Sequence, residues 1–228
     1  MSKIKLPWSY NRIKWQERCP YAIKLELIDK VSTSAFDPTD RGKKIHKHLE
    51  DFLYGRTSEK LPDIHLDWNH LEWVKENTID LLVQGEQQWG FREDWSAGNF
   101  FSKDIWGRVV IDLLYFPLDG ETAVIEDYKT GKKDEIKHTE QLLFYAVATW
   151  KKYPQIENFV GRIRYLDSKK NNVLERKWTA ANLKKVLPMI ERRANNYVNA
   201  TEFPAKPSKL CTYCAVKTHC KYKHPETN

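Results

Sequence analysis

The stretch Trp106–Lys132, WGRVVIDLLYFPLDGETAVIEDYKTGK, decides the reading of this chain. WGRVVIDLLYF is dense in branched and aromatic residues, Pro117-Leu118-Asp119-Gly120 signals a turn, and ETAVIEDYK returns to strand chemistry, so the segment predicts a β-hairpin. Asp112 closes the apolar run VVID. Asp127 and Lys129 stand two apart on the second strand and therefore share a face. Two carboxylates about 4 Å apart repel by roughly 4 kcal/mol at an effective dielectric near 20, and a divalent cation turns that repulsion into attraction. A lysine beside them can offset charge on a phosphoryl group. On spacing alone, a solvated hairpin face with a surface Asp-Lys pair fits as well.

Outward from the hairpin, Thr139–Lys152 has helical spacing, NFVGRIRYLDS and VLERKW read as strands around a turn at Lys169–Asn172, and Thr179–Ala200 reads as a helix that Pro188 would kink. Upstream, the apolar positions of Trp8–Ile28 are loosely helical, interrupted at Cys19-Pro20. After a polar loop around Asp37–Asp40, residues Gly42–Tyr54 place Ile45, Leu49, Phe52 and Leu53 on one helical face. A stronger helix is predicted after Asp67 as N-cap, through Leu71, Val74, Thr78, Leu81, Leu82 and Gly85 towards Trp89.

At 228 residues the chain is expected to form one domain, with 41% hydrophobic residues to fill its core. The net charge of +7 favours a polyanion as partner. The opening MSKIKLPWSY has no apolar run long enough for a secretory signal, and no apolar stretch suits a membrane span, so a cytoplasmic protein without a membrane partner is expected. In a reducing compartment the four cysteines are more often metal ligands, catalytic thiols or buried small hydrophobes than disulfides.

GRVVID, EDYKTGK and the following QLLFY together resemble the signature of the RecB-like PD-(D/E)XK nucleases. That resemblance runs from Cys19 to Cys220. It implies an α/β, restriction-endonuclease-like mixed central sheet flanked by helices, and a DNA-hydrolysing enzyme using Mg2+ or Mn2+. By the same resemblance Asp112 and Asp127 are metal-binding carboxylates, the Tyr128 carbonyl is a further ligand, Lys129 is the catalytic lysine, and Glu126 faces away. Gln141 and Tyr145 match the family's QxxxY helix, and His46, in GKKIH, matches its helical histidine ligand. From periodicity alone Gln141 and Tyr145 read equally as helix-core residues and His46 as a surface residue.

Cys211, Cys214 and Cys220 follow C-x2-C-x5-C, and Cys19 stands alone near the other end. Three thiolates in one short tail need a fourth ligand for a tetrahedral metal or a cubane cluster. The set resembles the iron-sulfur branch of the RecB-like family, to which the CRISPR-associated RecB-type exonucleases and the AddB nuclease domain belong. By that resemblance a 4Fe-4S cluster clamps residues 1–30 to 201–228. Zinc, with His219 and His224 nearby, and unliganded thiols remain open.

Lys43, Lys44 and Lys47 surround His46, and Lys132, Lys133 and Lys137 follow the lysine strand, drawing phosphates towards the proposed metals. The nine tryptophans read as core residues more readily than as base-stacking platforms. Arg162 and Arg164 share a strand face, suited to a DNA backbone or to a solvated edge. The expected function is a metal-dependent nuclease, in exonuclease form, acting on DNA with free ends or single strands in recombination, repair, replication or CRISPR adaptation. The sequence has no Walker-type GKS or GKT loop, so unwinding would come from a helicase or recombination partner. A non-cleaving DNA-binding or assembly module with a structural metal site is the alternative.

Overall fold

The computed structural model describes residues 6–33, 40–77 and 87–225. The element order is α1 (Tyr10–Arg18), α2 (Pro20–Ile23) running into a π-helical turn at Lys24–Ile28, α3 (Asp40–Leu53), α4 (Trp68–Glu76), β1 (Gln87–Phe91), β2 (Ala97–Gly98), β3 (Gly107–Ile111), β4 (Leu113–Tyr115), β5 (Thr122–Lys129), α5 (Glu135–Lys152), β6 (Asn158–Tyr165), β7 (Val173–Thr179) and α6 (Ala180–Val198), followed by short turns at Lys209–Tyr213 and Lys217–His219.

The strands form two sheets, β2-β1-β3 and β4-β5-β6-β7, instead of one central sheet. The run WGRVVIDLLYF looks continuous because every residue but Asp112 suits a strand. Its first half pairs with β1 and its second half with β5, and the chain bends at Asp112, where it leaves one sheet for the other. The hairpin is therefore short, with Leu113 opposite Glu126 and Tyr115 opposite Val124. β5 and β6 run parallel through the crossover helix α5, and the other pairs are antiparallel.

Helices cover both faces. Ile125, Ala123, Val109 and Ile111 pack into one core with α5 and α6, and a second core joins Ile45, Leu49 and Phe52 of α3 and Leu71 and Val74 of α4 to Leu113, Tyr115, Val124 and Tyr128. α5 starts earlier than its apolar spacing implied, because Asp134 caps it by accepting from the Lys137 N–H. Thr179 caps α6 in a reciprocal capping box, and the helix runs on through Pro188. The helix expected to reach Trp89 is described only to Glu76. Trp89 belongs to β1, while Thr78, Leu81, Leu82 and Gly85, like Asp37–Thr39 of the polar loop, lie outside the described residues.

Trp8, Trp95 and Trp106 make edge-to-face contacts in the core, as expected for most tryptophans. Trp8 presses on Gly107, where an added Cβ would lie 2.3 Å from the indole ring. Among the described residues no helix is long and apolar enough to cross a membrane.

Candidate metal centre and active site

The bend at Asp112 brings its carboxylate beside the end of β5. Asp112 Oδ2 accepts from the Tyr128 backbone N–H at 2.8 Å, and Oδ1 lies 3.1 Å from His46 Nδ1. The other ring nitrogen of His46 is 3.0 Å from the Tyr128 carbonyl oxygen. α3 places His46 there because Ile45 and Leu49 bury the adjoining helical face. Gly42 lets this helix approach Thr130, whose hydroxyl would be 3.3 Å from an added Cβ. Both His46 nitrogens face oxygen, so the protonated ring can donate twice. Burial lowers the His46 pKa, but the bond to Asp112 and the charges of Asp112 and Asp127 outweigh it, and the net shift is upward.

Asp127 and Lys129 emerge on the α5 face of β5, as their spacing predicts. Asp127 Oδ1 accepts from Gln141 Nε2 at 3.2 Å, and the same amide donates to the Tyr145 hydroxyl at 2.7 Å. Asp127 Oδ2 faces Lys129 Nζ at 2.5 Å in a buried ion pair. Burial pushes the Asp127 carboxyl up to about 6, against the pull of Lys129. Burial alone would lower the Lys129 ammonium, but Asp127 and Asp112 raise it. The turn after Lys129 is pinned at Gly131, whose φ of 92° suits glycine and whose N–H donates to Asp167 at 2.6 Å. Asp167 also accepts from Arg41 of α3 at 2.9 Å.

Two carboxylates, an imidazole and a backbone carbonyl thus meet at the bend, with a lysine beside them. This is an oxygen-rich donor set with one nitrogen, suited to Mg2+ or Mn2+. The Asp127 oxygen that faces the Lys129 ammonium already sits where positive charge is favoured, as a metal ligand must. Among the described residues, however, no group of three or more His, Cys, Asp or Glu side chains is gathered tightly enough to hold a metal ion as it stands. Asp112 and Asp127 are turned instead onto Tyr128 N–H, His46, Gln141 and Lys129, contacts that a cation would have to exchange.

Glu126 faces away from the site, but into protein rather than solvent. It is fully buried and accepts from Arg164 at 2.5 and 3.1 Å, Arg162 at 3.3 Å and the Tyr115 hydroxyl at 3.2 Å, with His70 Nε2 at 2.9 Å. Burial raises its pKa, yet His70 and Arg164 hold it far below the usual carboxylate range. Arg162 and Arg164 do share a face, which Glu126 occupies: Arg164 is buried against it, while Arg162 is partly exposed and also pairs with Glu175 at the edge. The basic cluster is also partly committed: Lys44 pairs with Asp40, Lys47 with Glu50 and Asp51, and Lys133 donates to the carbonyls of Lys170 and Asn171. Lys132 and Lys137 are exposed beside the lysine strand.

Cys19, Cys211, Cys214 and Cys220 line one cavity, and all four are free thiols. The Lys206 and Ser208 backbone N–H groups point at Cys19 Sγ and Cys211 Sγ, at 3.5 and 3.4 Å. Arg18, Lys206, Lys217 and Lys223 share the lining, and among the described residues no carboxylate does. Burial raises the Cys214 thiol pKa. His219 bonds Ser32 instead and does not line this cavity, and neither does His224.

The model of the PD-(D/E)XK nuclease superfamily matches residues 7–221. The chain belongs to that superfamily. A PD-(D/E)XK nuclease acts on DNA and usually works with Mg2+ or Mn2+, in keeping with the oxygen-rich donor set at the bend. Among solved structures, the crystal structure of SSO0001 is similar to this PD-(D/E)XK chain at 15% identity, over 93% of this chain and 86% of that one, with a TM-score of 0.47. No curated protein matches by sequence.

The sequence reading missed His70, which reaches Glu126 from α4, and His138, whose Nδ1 lies 2.9 Å from the Tyr165 hydroxyl. It also missed Arg12 and Arg108, which line one groove with Tyr145. For Glu126 a signal existed: a charged residue amid AVIEDY in a strand buried on both faces needs an internal counter-charge.

Proposed function

We propose that this chain is a metal-dependent deoxyribonuclease of the RecB-like branch that degrades DNA from its ends, with Asp112, Asp127, the Tyr128 carbonyl and His46 as metal ligands. The observation that carries the reading is their convergence, with Lys129, at the bend between the sheets. A bound divalent cation would offset the carboxylate charges and polarise the phosphoryl oxygens. Lys129 places a positive charge 2.5 Å from Asp127 Oδ2, where it can neutralise charge developing on the phosphoryl group. Gln141 fixes the Asp127 carboxylate, and Tyr145 fixes Gln141, so the QxxxY pair acts by positioning. As a ligand His46 would offer a ring-nitrogen lone pair, so binding to a protonated ring would release a proton.

For the four cysteines the motif resemblance suggests a 4Fe-4S cluster as a structural clamp, which would have to draw them closer together, since among the described residues they are not gathered tightly enough to hold a metal as they stand. Four thiols line one cavity, two accept backbone N–H groups, and cationic side chains would balance the negative charge of a thiolate-bound cluster. Zinc is the competing occupant. The end-directed, RecB-like reading rests on the motif resemblance, and with duplex DNA a partner helicase would supply the single strand.

The test is digestion of end-labelled linear and covalently closed circular DNA, single- and double-stranded, with Mg2+, with Mn2+ and with a chelator. Metal-dependent loss of linear DNA with circles intact is the expected result. Cleaved circles would overturn the exonuclease assignment, and no cleavage of any substrate would favour the non-cleaving module.

A further inference from the structure

A groove of about 350 Å3 adjoins the proposed site and has no role in the chemistry above. Ser9, the N-cap of α1, and Asn11 and Arg12 of its first turn form one wall, with Phe100, Arg108 and Tyr145 among the residues opposite. Among the described residues no acidic side chain lines it. Tyr145 is the link inward, since its hydroxyl holds Gln141, which holds Asp127. On β3, Val109 and Ile111 are buried while Arg108 and Val110 face the open side. Arg108 precedes Asp112 by four strand residues, roughly 13 Å, about the length of four stacked nucleotides at ~3.4 Å each.

The two arginines are held in place by contacts other than ion pairs. Arg12 donates to the Pro7 carbonyl at 2.8 Å, and Arg108 lies over the Phe100 ring at 4.9 Å. Among the described residues neither forms an ion pair with a carboxylate, although the charge of Arg12 is felt at Glu26. Arg108 Nε is buried and, among the described residues, has no hydrogen-bond acceptor. A guanidinium held without an anionic partner is a strong donor for a phosphate oxygen. The dipole of α1 adds positive potential at the same wall.

We propose that this groove binds a phosphate of the nucleic-acid strand through Arg12 and Arg108, and so sets which bond reaches Asp112 and Asp127. The contact is to backbone phosphate and is therefore independent of base sequence. The proposal rests on the nuclease reading for its role in cleavage, but binding alone can be tested without it.

The experiment measures binding of a short single-stranded oligonucleotide, with and without a 5′-phosphate, in chelator across a salt series. The proteins are wild type, Arg12→Gln, Arg108→Gln, Arg108→Lys and the double Gln variant, each checked for an unchanged melting temperature. Each Arg→Gln change should weaken binding about equally for all base sequences and reduce the slope of log affinity against log salt by about 0.7. Arg108→Lys should retain most of the slope. Loss with both oligonucleotides assigns an internal phosphodiester, and loss confined to the phosphorylated one assigns a terminal phosphate. Unchanged affinity and slope in Arg12→Gln and in Arg108→Gln would overturn the groove, even if the enzyme cleaves. Conversely, arginine-dependent binding by a protein that cleaves nothing would uphold the groove and sink the nuclease reading.

Discussion

Asp112 accepts its 2.8 Å hydrogen bond from the Tyr128 N–H, so the residue at which the chain changes sheets is tied to the strand that carries Asp127 and Lys129. Structural and chemical roles coincide there. Asp112→Ala is expected to weaken divalent-metal binding in calorimetry and to destabilise the fold by about 1–3 kcal/mol in denaturant titration, since it removes an acceptor of the buried Tyr128 N–H. Wild-type metal affinity in this variant would remove Asp112 from the ligand set.

Lys129→Ala should lower cleavage by about 100-fold or more while DNA affinity in chelator stays near wild type, because one positioned group acts mainly in the transition state. Undiminished turnover would end its catalytic assignment.

Glu126→Ala separates folding from chemistry. It leaves Arg164, Arg162 and His70 without their shared carboxylate in the interior, a loss of about 3–5 kcal/mol in chemical denaturation. A loss under about 1 kcal/mol, the range of surface pairs, would show that the cluster is hydrated and loosely held.

His138 should make stability pH-dependent. Burial, reinforced by Lys129 and Lys137, lowers its pKa to about 4, so the folded protein holds it neutral while the unfolded chain protonates it near 6.5. Between those values the unfolded state binds more protons, and stability falls as pH drops from about 6.5 towards 4. Melting curves of wild type and His138→Gln should therefore diverge least at neutral pH in their slope with pH and most near pH ~5. Parallel curves across that range would contradict the buried neutral imidazole.

Cys19→Ser tests the clamp. Loss of iron, sulfide and visible absorption, with a lower melting temperature, is expected in anaerobically purified protein. Full metal content and stability in the variant, or a wild type with neither iron nor zinc, would leave the four cysteines as packing residues.

How much of this could be read from the sequence depended on the range of the interaction. The Asp127-Lys129 pair and the Gln141-Tyr145 pair follow from the periods of a strand and a helix, and both sit together as those periods require. The sheet break at Asp112 did not show, because pairing partners rather than propensity decide where a branched run divides. Trp89 was drawn into a helix by apolar spacing, and its pairing with Val109 makes it a strand residue. The partners of Glu126 come from α4, β4 and β6, a meeting that only the tertiary fold creates.

The contact between Trp8 and Gly107 has a consequence for genetics. A single methyl group at Gly107 would push the indole aside, and the chain from Trp8 leads directly into Ser9, Asn11 and Arg12 of the groove wall. Gly107 touches no proposed ligand, yet Gly107→Ala is expected to surface in a screen for impaired DNA processing as though it were a substrate-contacting residue. Compensating changes should then arise at Trp8, where a smaller side chain restores the space.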